Sequence, residues 1–172
     1  MPQRLERLIR EIPDFPKPGV MFKDITPMLA DPAGLALGVE FMANPFRGRR
    51  IDHVIGAESR GFIFGTAIAL ALSAGFIPVR KPGKLPAKTH RRAYTLEYGA
   101  DALELHVGAI GPGDRVLLVD DLLATGGTMQ ACAELVGDTG AEVVGISVLI
   151  ELTFLAGRDR LRPHEVRSVL SY

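Results

Sequence analysis

The sequence predicts an α/β fold with a doubly wound, mostly parallel sheet, and two observations indicate it. First, an uninterrupted aliphatic run at 116–119 is typical of a central parallel strand buried on both faces. Second, this run is followed by two glycines, a helical pattern over 128–139 and another aliphatic segment at 143–150. These segments form a βαβ unit, and a second unit within 53–80 implies a doubly wound sheet.

Composition is that of a globular chain. The 172 residues fit one domain over 1–172, with 47% hydrophobic and 23% charged residues. Lys+Arg and Asp+Glu are both 20, so no basic excess supports nucleic-acid or membrane-surface binding. Cys132 is the only cysteine, which excludes an intrachain disulfide and favours a reducing compartment. With no secretory leader pattern, we expect a cytoplasmic protein.

The N-terminal elements are short. Leu5, Leu8 and Ile9 give 3–11 an amphipathic helical pattern. Three prolines and a glycine within 13–19 then exclude regular structure and predict a fixed loop. A short strand is expected at 21–25.

The next segments build the first βαβ unit. Asp31 is placed to cap a helix that has a proline in its first position and runs over about 32–42. A strand over 53–56, a helix over 61–73 and a strand over 76–80 follow.

The middle of the chain breaks this alternation. Residues 81–98 are polar and basic and contain two prolines, so they predict a long exposed loop or loose hairpin, which in a compact domain is usually functional. Residues 102–107 alternate apolar and polar side chains, as in a half-buried strand. The Gly-Pro-Gly-Asp sequence at 111–114 predicts a turn.

The segment 116–128 predicts a phosphate site. The aliphatic strand is expected to end in Asp120 and Asp121, followed by a small-residue loop and a helix start. Ligands of open α/β sheets bind beyond the carboxyl ends of the strands, and a helix N-terminus favours phosphate. Glycines let the backbone approach an anion, hydroxyls add donors, and the acids can bind sugar hydroxyls or hold Mg²⁺ through water. The phosphate cradle comprises Ala124, Thr125, Gly126, Gly127 and Thr128.

This segment resembles the signature of the type I phosphoribosyltransferases, which bind 5-phosphoribosyl 1-pyrophosphate (PRPP). The resemblance implies that Asp120 and Asp121 face the ribose hydroxyls and that 124–128 bind the 5-phosphate. It also implies the family's fold, with a small N-terminal hood over the base at about 1–30 and a flexible catalytic loop at about 81–99.

Three further segments resemble the adenine-specific members of that family. They are Glu58 to Phe62, Ile12 to Pro27, and Lys81 to Pro86 continued by Tyr94 to Gly99. The resemblance implies transfer of the phosphoribosyl group of PRPP to adenine, giving AMP and pyrophosphate, with Mg²⁺ as cofactor and a homodimer as the assembly.

The resemblance also implies roles for single residues. Pyrophosphate would be bound by Glu58, Ser59, Arg60, Gly61, Lys81 and Lys84. Phe22 would stack on adenine, the backbone of Met21 would read its amino group, Leu152 would close its opposite face and Lys23 would complete the base site. Glu97 would act as general acid–base on the purine, with Arg60 as the second catalytic residue.

Several alternatives stay open from the residues alone. Glu58 and Ser59 could cap a helix, and Phe22 and Leu152 could be core residues. Another base specificity, or a PRPP-sensing regulator without catalysis, would keep the same phosphate loop. Lys23 stands where some relatives carry Arg, and the basic segment 89–93 has no account beyond attraction for an anionic substrate.

Overall fold

The computed structural model describes residues 2–96 and 99–172. A five-stranded parallel sheet of order β4-β3-β7-β8-β9 forms its centre, with two antiparallel pairs, β1–β2 and β5–β6, outside it. The strands are β1 Arg10–Ile12, β2 Phe22–Asp24, β3 His53–Ala57, β4 Gly75–Val79, β5 Thr89–Leu96, β6 Gly99–His106, β7 Arg115–Leu123, β8 Glu142–Glu151 and β9 Val166–Ser171. The α-helices are α1 Pro2–Glu6, α2 Thr26–Ala30, α3 Pro32–Ala43, α4 Gly61–Leu72 and α5 Gly127–Asp138.

The central sheet is covered on both faces, which confirms the doubly wound architecture. Successive side chains of a strand point to opposite faces, and β7 contributes to two separate cores. Leu117 and Val119 pack with Phe64 beside the helices α1–α4, whereas Leu118 packs with Cys132 beside α5 and the β5–β6 pair. Burial on both faces explains why this strand carries no alternating polar residues.

One expected N-terminal element, the helix over 3–11, differs from the observed structure. The helix predicted over 3–11 ends at Glu6, because Arg10 begins a strand that pairs with β2 in the register Arg10 to Asp24. The Arg10 Nε donates to Asp24 Oδ2 at 2.9 Å, an interaction between residues 14 apart in sequence. The Asp31 cap is confirmed, since its Oδ1 accepts a hydrogen bond from Gly34 N at 2.5 Å at the start of α3.

The middle segment contains a hairpin, which is one of the two alternatives predicted for 81–98. Residues 89–96 form β5, which pairs antiparallel with β6 from Thr89–His106 to Leu96–Gly99. Strand β6 therefore begins before the expected 102 and packs Leu103 and Leu105 into the core. Its apolar face lies beside α5, as the alternation over 102–107 predicts, and pairing with β5 extends the strand back to Gly99.

Strand β7 is longer than expected. It continues through the acid pair to Leu123, and Asp120 and Leu122 remain paired with β8. The acids therefore lie within the carboxyl end of the strand and not beyond it. No helix in the described ranges is long and apolar enough to cross a membrane.

Candidate active site

Two loops at the carboxyl ends of neighbouring strands form one cleft. Residues 58–60 follow β3, and residues 120–129 span the end of β7, the loop after it and the start of α5. Together they line a cleft of about 240 Å³. The predicted phosphate loop and most of the predicted pyrophosphate loop therefore face each other across a single space.

An ion pair connects the two sides of this cleft. Arg60 Nε lies 3.0 Å from Asp121 Oδ2, and the Asp121 side chain is almost fully buried. Burial raises the pKa of Asp121, and the positive charge of Arg60 opposes that shift. Burial, followed by the charge of Asp121, raises the pKa of Asp120 well above its ordinary value. The strand end therefore holds two carboxyl groups whose charged forms are disfavoured by burial, and Arg60 pairs with one of them.

Gly61 lies directly against the acid pair. A Cβ atom at this position would lie 3.0 Å from Asp120 Oδ1 and 3.1 Å from the carbonyl oxygen of Val119. Helix α4 begins at this glycine, so its N-terminal end lies close to Asp120. Among the described residues, those lining the cleft do not include Gly61, which instead brings helix and strand together.

The phosphate loop has the expected backbone. Gly126 has φ +85°, a left-handed conformation that disfavours other residues, and Gly127 begins α5. The first N–H groups of a helix have no intrahelical partners and lie at the positive end of its dipole. Ala124 to Thr128 thus provide backbone donors and two threonine hydroxyls around one end of the cleft.

On the opposite side of the cleft, Glu58 joins the end of β3 to the residues that follow β4. Its Oε2 accepts hydrogen bonds from Arg80 Nε at 3.0 Å and from the backbone N–H of Lys81 at 2.9 Å. Arg80 was not among the predicted site residues, although its position just after β4 places it at the same sheet edge as Glu58. The peptide bond between Glu58 and Ser59 is cis.

A second cavity, of about 510 Å³, adjoins the cleft and is mostly apolar. All four predicted base-site residues line it, namely Met21, Phe22, Lys23 and Leu152. The two cavities share Leu122, Ala124 and Thr125 as a common wall. The N-terminal segment and the β7–α5 loop therefore enclose adjacent sites of different chemistry.

Phe22 links the base cavity to the cleft. Its ring lies edge-on to Phe15 at 5.0 Å between centroids, and the Arg60 guanidinium lies 5.5 Å from its centroid. Arg60 thus contacts both the acid pair and the aromatic wall.

Lys23 is held by groups that the sequence analysis did not identify. Its ammonium forms an ion pair with Glu11 and lies 3.7 Å from the centre of the Tyr172 ring. Tyr172 also lines the base cavity, as does the exposed ring of Phe154. No local pattern in the sequence marks Tyr172, which reaches the site through the pairing of β9 with β8. Phe154 follows β8 and lies two residues after the predicted Leu152.

The predicted loop residues lie apart from the cleft lining. Lys81 Nζ forms an ion pair with Asp101 at 3.0 Å, and the hydrogen bond from Lys81 lowers the pKa of Asp101. The Lys84 carbonyl accepts a hydrogen bond from Arg80 at 3.3 Å. Glu97 lies outside the described residues, so its predicted role remains a prediction.

The basic segment 89–93 has a partial structural explanation. Arg92 donates to Asp138 at 2.7 and 2.8 Å and lies 3.3 Å from Glu134. Both acids belong to α5, so this arginine ties the β5–β6 pair to the helix that begins at the phosphate loop.

Known proteins are similar to this chain in sequence and in structure. Residues 26–169 match the phosphoribosyl transferase domain family. The adenine phosphoribosyltransferase of Solibacter usitatus is 58% identical over 98% of this chain and 97% of its own. The structure of the Thermoanaerobacter pseudethanolicus adenine phosphoribosyltransferase aligns with a TM-score of 0.97 and 49% identity, covering 100% of both chains. The Saccharomyces cerevisiae enzyme, solved with adenine and an imino-altritol bisphosphate, aligns at 0.93 with 38% identity over 98% of each chain.

Proposed function

The chain belongs to the adenine phosphoribosyltransferases, and we infer from this membership that it transfers the 5-phosphoribosyl group of PRPP to adenine. The products are AMP and pyrophosphate, and the reaction is a pentosyl transfer of purine salvage. The observation that carries the assignment is the common wall of Leu122, Ala124 and Thr125. A polar cleft and an apolar cavity that meet at one loop suit a phosphorylated sugar beside a flat purine.

We propose that PRPP occupies the cleft. Its 5-phosphate would accept hydrogen bonds from the N–H groups and hydroxyls of 124–128 at the start of α5. Asp120 and Asp121 would accept hydrogen bonds from the ribose hydroxyls, which are neutral donors suited to carboxylates. Arg60 would exchange Asp121 for pyrophosphate, an anion that its fork-shaped donors match.

We propose that the segment at about 81–99 completes the pyrophosphate site by closing over the cleft. Glu58 already holds the backbone of Lys81 at the edge of the cleft, so this lysine has a short distance to cross. Its ammonium would leave Asp101 for pyrophosphate, and Lys84 would follow. Closure would also exclude water that could hydrolyse PRPP.

Adenine is proposed to bind in the apolar cavity beneath a hood formed by about 1–30. Phe22 and Leu152 would contact its two faces, and the backbone of Met21 would read the 6-amino group. Lys23 would lie at the edge of the adenine cavity as a fixed positive charge. Its ammonium is already paired with Glu11 and Tyr172, so it would not donate a hydrogen bond to the base. A single lysine head lacks the planar fork of arginine, so a bidentate contact to the base is not expected here.

Magnesium fits this site as an ion carried by the substrate. Asp120 and Asp121 are adjacent carboxylates at the cleft, whereas the third, Glu58, is bound by Arg80 and the backbone of Lys81. The described residues contain no group of three acidic, histidine or cysteine side chains able to hold a metal. Mg²⁺ commonly keeps several waters and binds through one or two carboxylates and substrate phosphates. When bound, it would neutralise pyrophosphate charge, and Asp120 and Asp121 would hold it through water.

The residues of the chain would then divide the catalytic work. As the anomeric carbon–oxygen bond stretches, positive charge develops on the ribose and negative charge on the departing pyrophosphate. Arg60, with Lys81 and Lys84 after closure, would stabilise the leaving group. The hood and the phosphate loop would fix adenine and ribose at bonding distance. Glu97 would take the proton that the purine releases as its nitrogen attacks.

The direct test is a spectrophotometric assay with PRPP and Mg²⁺ and with adenine, hypoxanthine, guanine, xanthine or orotate supplied separately. We expect AMP and pyrophosphate with adenine alone, and loss of activity when EDTA removes Mg²⁺. Turnover of another base would contradict the assignment of the hood. PRPP binding without turnover of any base would instead support a regulator of the same fold.

We propose that the protein is a homodimer that pairs through α4. This helix has no charged residue, and its outer face exposes Ile63, Leu70 and the half-buried Ala67. A helix that is apolar on all sides is typically buried, and one face of α4 is uncovered in a single chain. We also propose a cytoplasmic location, where the thiol of Cys132 would stay reduced.

Leu70→Glu should convert the dimer to a monomer, because its side chain is 78% exposed and the new charge would be buried at the interface. Light scattering coupled to size-exclusion chromatography measures the mass of each species. Val107→Glu serves as the control, since Val107 is also exposed but lies after β6. A wild-type mass of 18.5 kDa, or an unchanged dimer in the Leu70 variant, would contradict this interface.

A further inference from the structure

The turn at 156–158 packs its backbone directly on the phosphate loop. A Cβ atom at Gly157 would overlap the carbonyl oxygen of Ala124 and lie 2.9 Å from Gly126 N. Conversely, a Cβ atom at Gly126 would lie 2.5 Å from the carbonyl oxygen of Gly157. Both positions therefore admit only glycine, because the two backbones touch where a side chain would stand.

Arg158 fixes this turn to the end of the central sheet. Its Nε donates to Glu151 Oε1 at 2.9 Å, and its Nη1 donates to the carbonyl oxygen of Val166 at 2.6 Å. Ser168 Oγ donates to Glu151 Oε2 at 2.7 Å, which completes a network between β8 and β9. Glu151 is buried, and the hydrogen bond from Arg158 lowers its pKa, so the carboxylate is charged and fully paired.

We propose that Gly157 and Arg158 are positioning residues that set the shape of the 5-phosphate loop. This inference rests on the proposed function, since it gives the loop a phosphate to bind. The phosphate loop contains two glycines, whose backbones can adopt more conformations than those of other residues. The turn supplies a rigid backbone surface against Ala124 to Gly126, and the Arg158 network holds that surface in place. The N–H groups of the loop are thereby aimed before the ligand arrives, which reduces the cost of ordering them on binding.

The test separates the 5-phosphate from the rest of the substrate. Gly157→Ala should raise the dissociation constant of ribose 5-phosphate and the KM for PRPP on the order of 10- to 100-fold, as expected for donors displaced by about 1 Å. The dissociation constant of pyrophosphate should stay close to the wild-type value, because its proposed site lies at 58–60 on the opposite side of the cleft. That of adenine should rise less than that of ribose 5-phosphate, because Ala124 and Thr125 form only part of the wall of the base cavity. Isothermal titration calorimetry with each of the three ligands gives these constants directly. A variant that is merely less stable would lose affinity for all three ligands together.

Gly137→Ala is the matched control. Gly137 is exposed on α5, the helix that begins at the phosphate loop, and a Cβ atom there meets nothing within 4 Å. It should leave all three affinities unchanged and raise Tm slightly, since alanine favours the helix. If Gly157→Ala does not fold, Arg158→Lys provides the test. Lysine keeps the positive charge beside Glu151 but lacks the planar guanidinium that donates to both Glu151 and Val166. Arg158→Lys should weaken ribose 5-phosphate binding and spare pyrophosphate.

Two results would overturn the inference. One is unchanged ribose 5-phosphate affinity in a folded Gly157→Ala or Arg158→Lys protein. The other is an equal loss of all three ligands. If the wild type makes AMP from adenine, either result leaves the proposed function intact. If the wild type does not transfer the phosphoribosyl group to adenine, the proposed function itself is contradicted.

Discussion

Glu97→Gln is expected to lower kcat by about 10²–10⁴-fold, the usual contribution of general acid–base catalysis. The glutamine keeps the size and hydrogen-bonding capacity of the side chain but cannot take the purine proton. PRPP affinity should change little, because the proposed PRPP contacts lie at Arg60 and at 120–128. Steady-state kinetics with adenine, combined with direct measurement of PRPP binding, separates the two quantities.

Glu97 belongs to the segment Tyr94 to Gly99, which resembles the catalytic loop of the family. Residue 97 lies outside the described residues, but the flanking strands β5 and β6 pair up to Leu96 and Gly99. The matched control is Glu6→Gln, a change of the same chemistry on the exposed side of α1. An unchanged kcat in Glu97→Gln would remove this residue from the mechanism and make it a surface carboxylate.

The strand, loop and helix start within 116–128 could be predicted because their sequence signals are local. A buried strand, a loop with paired glycines and a helix start follow one another within 116–128, and each has its own sequence pattern. The register of β7 was less predictable, since the strand continues through Asp120 and Asp121 by pairing with β8. Acidic residues inside a strand oppose its local propensity, and only tertiary pairing overrides that.

Parts of the site that depend on distant pairing could not be predicted in this way. Tyr172 lines the base cavity because β9 pairs with β8, and nothing near it in sequence indicates that pairing. Arg158 joins the same two strands through Glu151 and Val166, which are also distant in sequence from the phosphate loop. Gly157 is one of 19 glycines, and only its contact with Ala124 distinguishes it from the others. The sequence identifies groups that bind ligand through a motif, but it does not identify the backbone that supports them.

Asp120→Asn is expected to weaken PRPP binding and, at neutral pH, to stabilise the free protein. A hydrogen bond to a charged group contributes about 1.5–3 kcal/mol, so the loss corresponds to roughly 10- to 100-fold in affinity. The stabilisation follows because two adjacent carboxylates are buried with one arginine, and burial raises the pKa of Asp120 well above its ordinary value. Asparagine removes one of these charges and fits the same space.

The sign of the pH dependence follows from that raised pKa. The folded protein binds the Asp120 proton more tightly than the unfolded chain does, so the free energy of unfolding falls as pH rises from the ordinary pKa through the raised one. The gain in Tm from Asp120→Asn should therefore be largest at a pH above the raised pKa of Asp120 and should vanish at a pH below the ordinary pKa of an aspartate. PRPP affinity of the wild type should fall as pH is lowered through the same window, because the acids lose the charge that accepts ribose hydroxyls.

Asp52→Asn provides a control of opposite sign. A hydrogen bond from the Arg115 backbone lowers the pKa of Asp52, so its contribution to stability is present above the ordinary pKa and is lost as pH falls through the lowered one. Asp52→Asn should therefore lower Tm at neutral pH and leave PRPP affinity unchanged, since Asp52 lies at the amino end of β3 away from the cleft. Thermal melts from acid to neutral pH with and without PRPP measure both effects. A fall in Tm at neutral pH for Asp120→Asn would contradict this prediction, because it would mean that Asp120 stabilises the free protein.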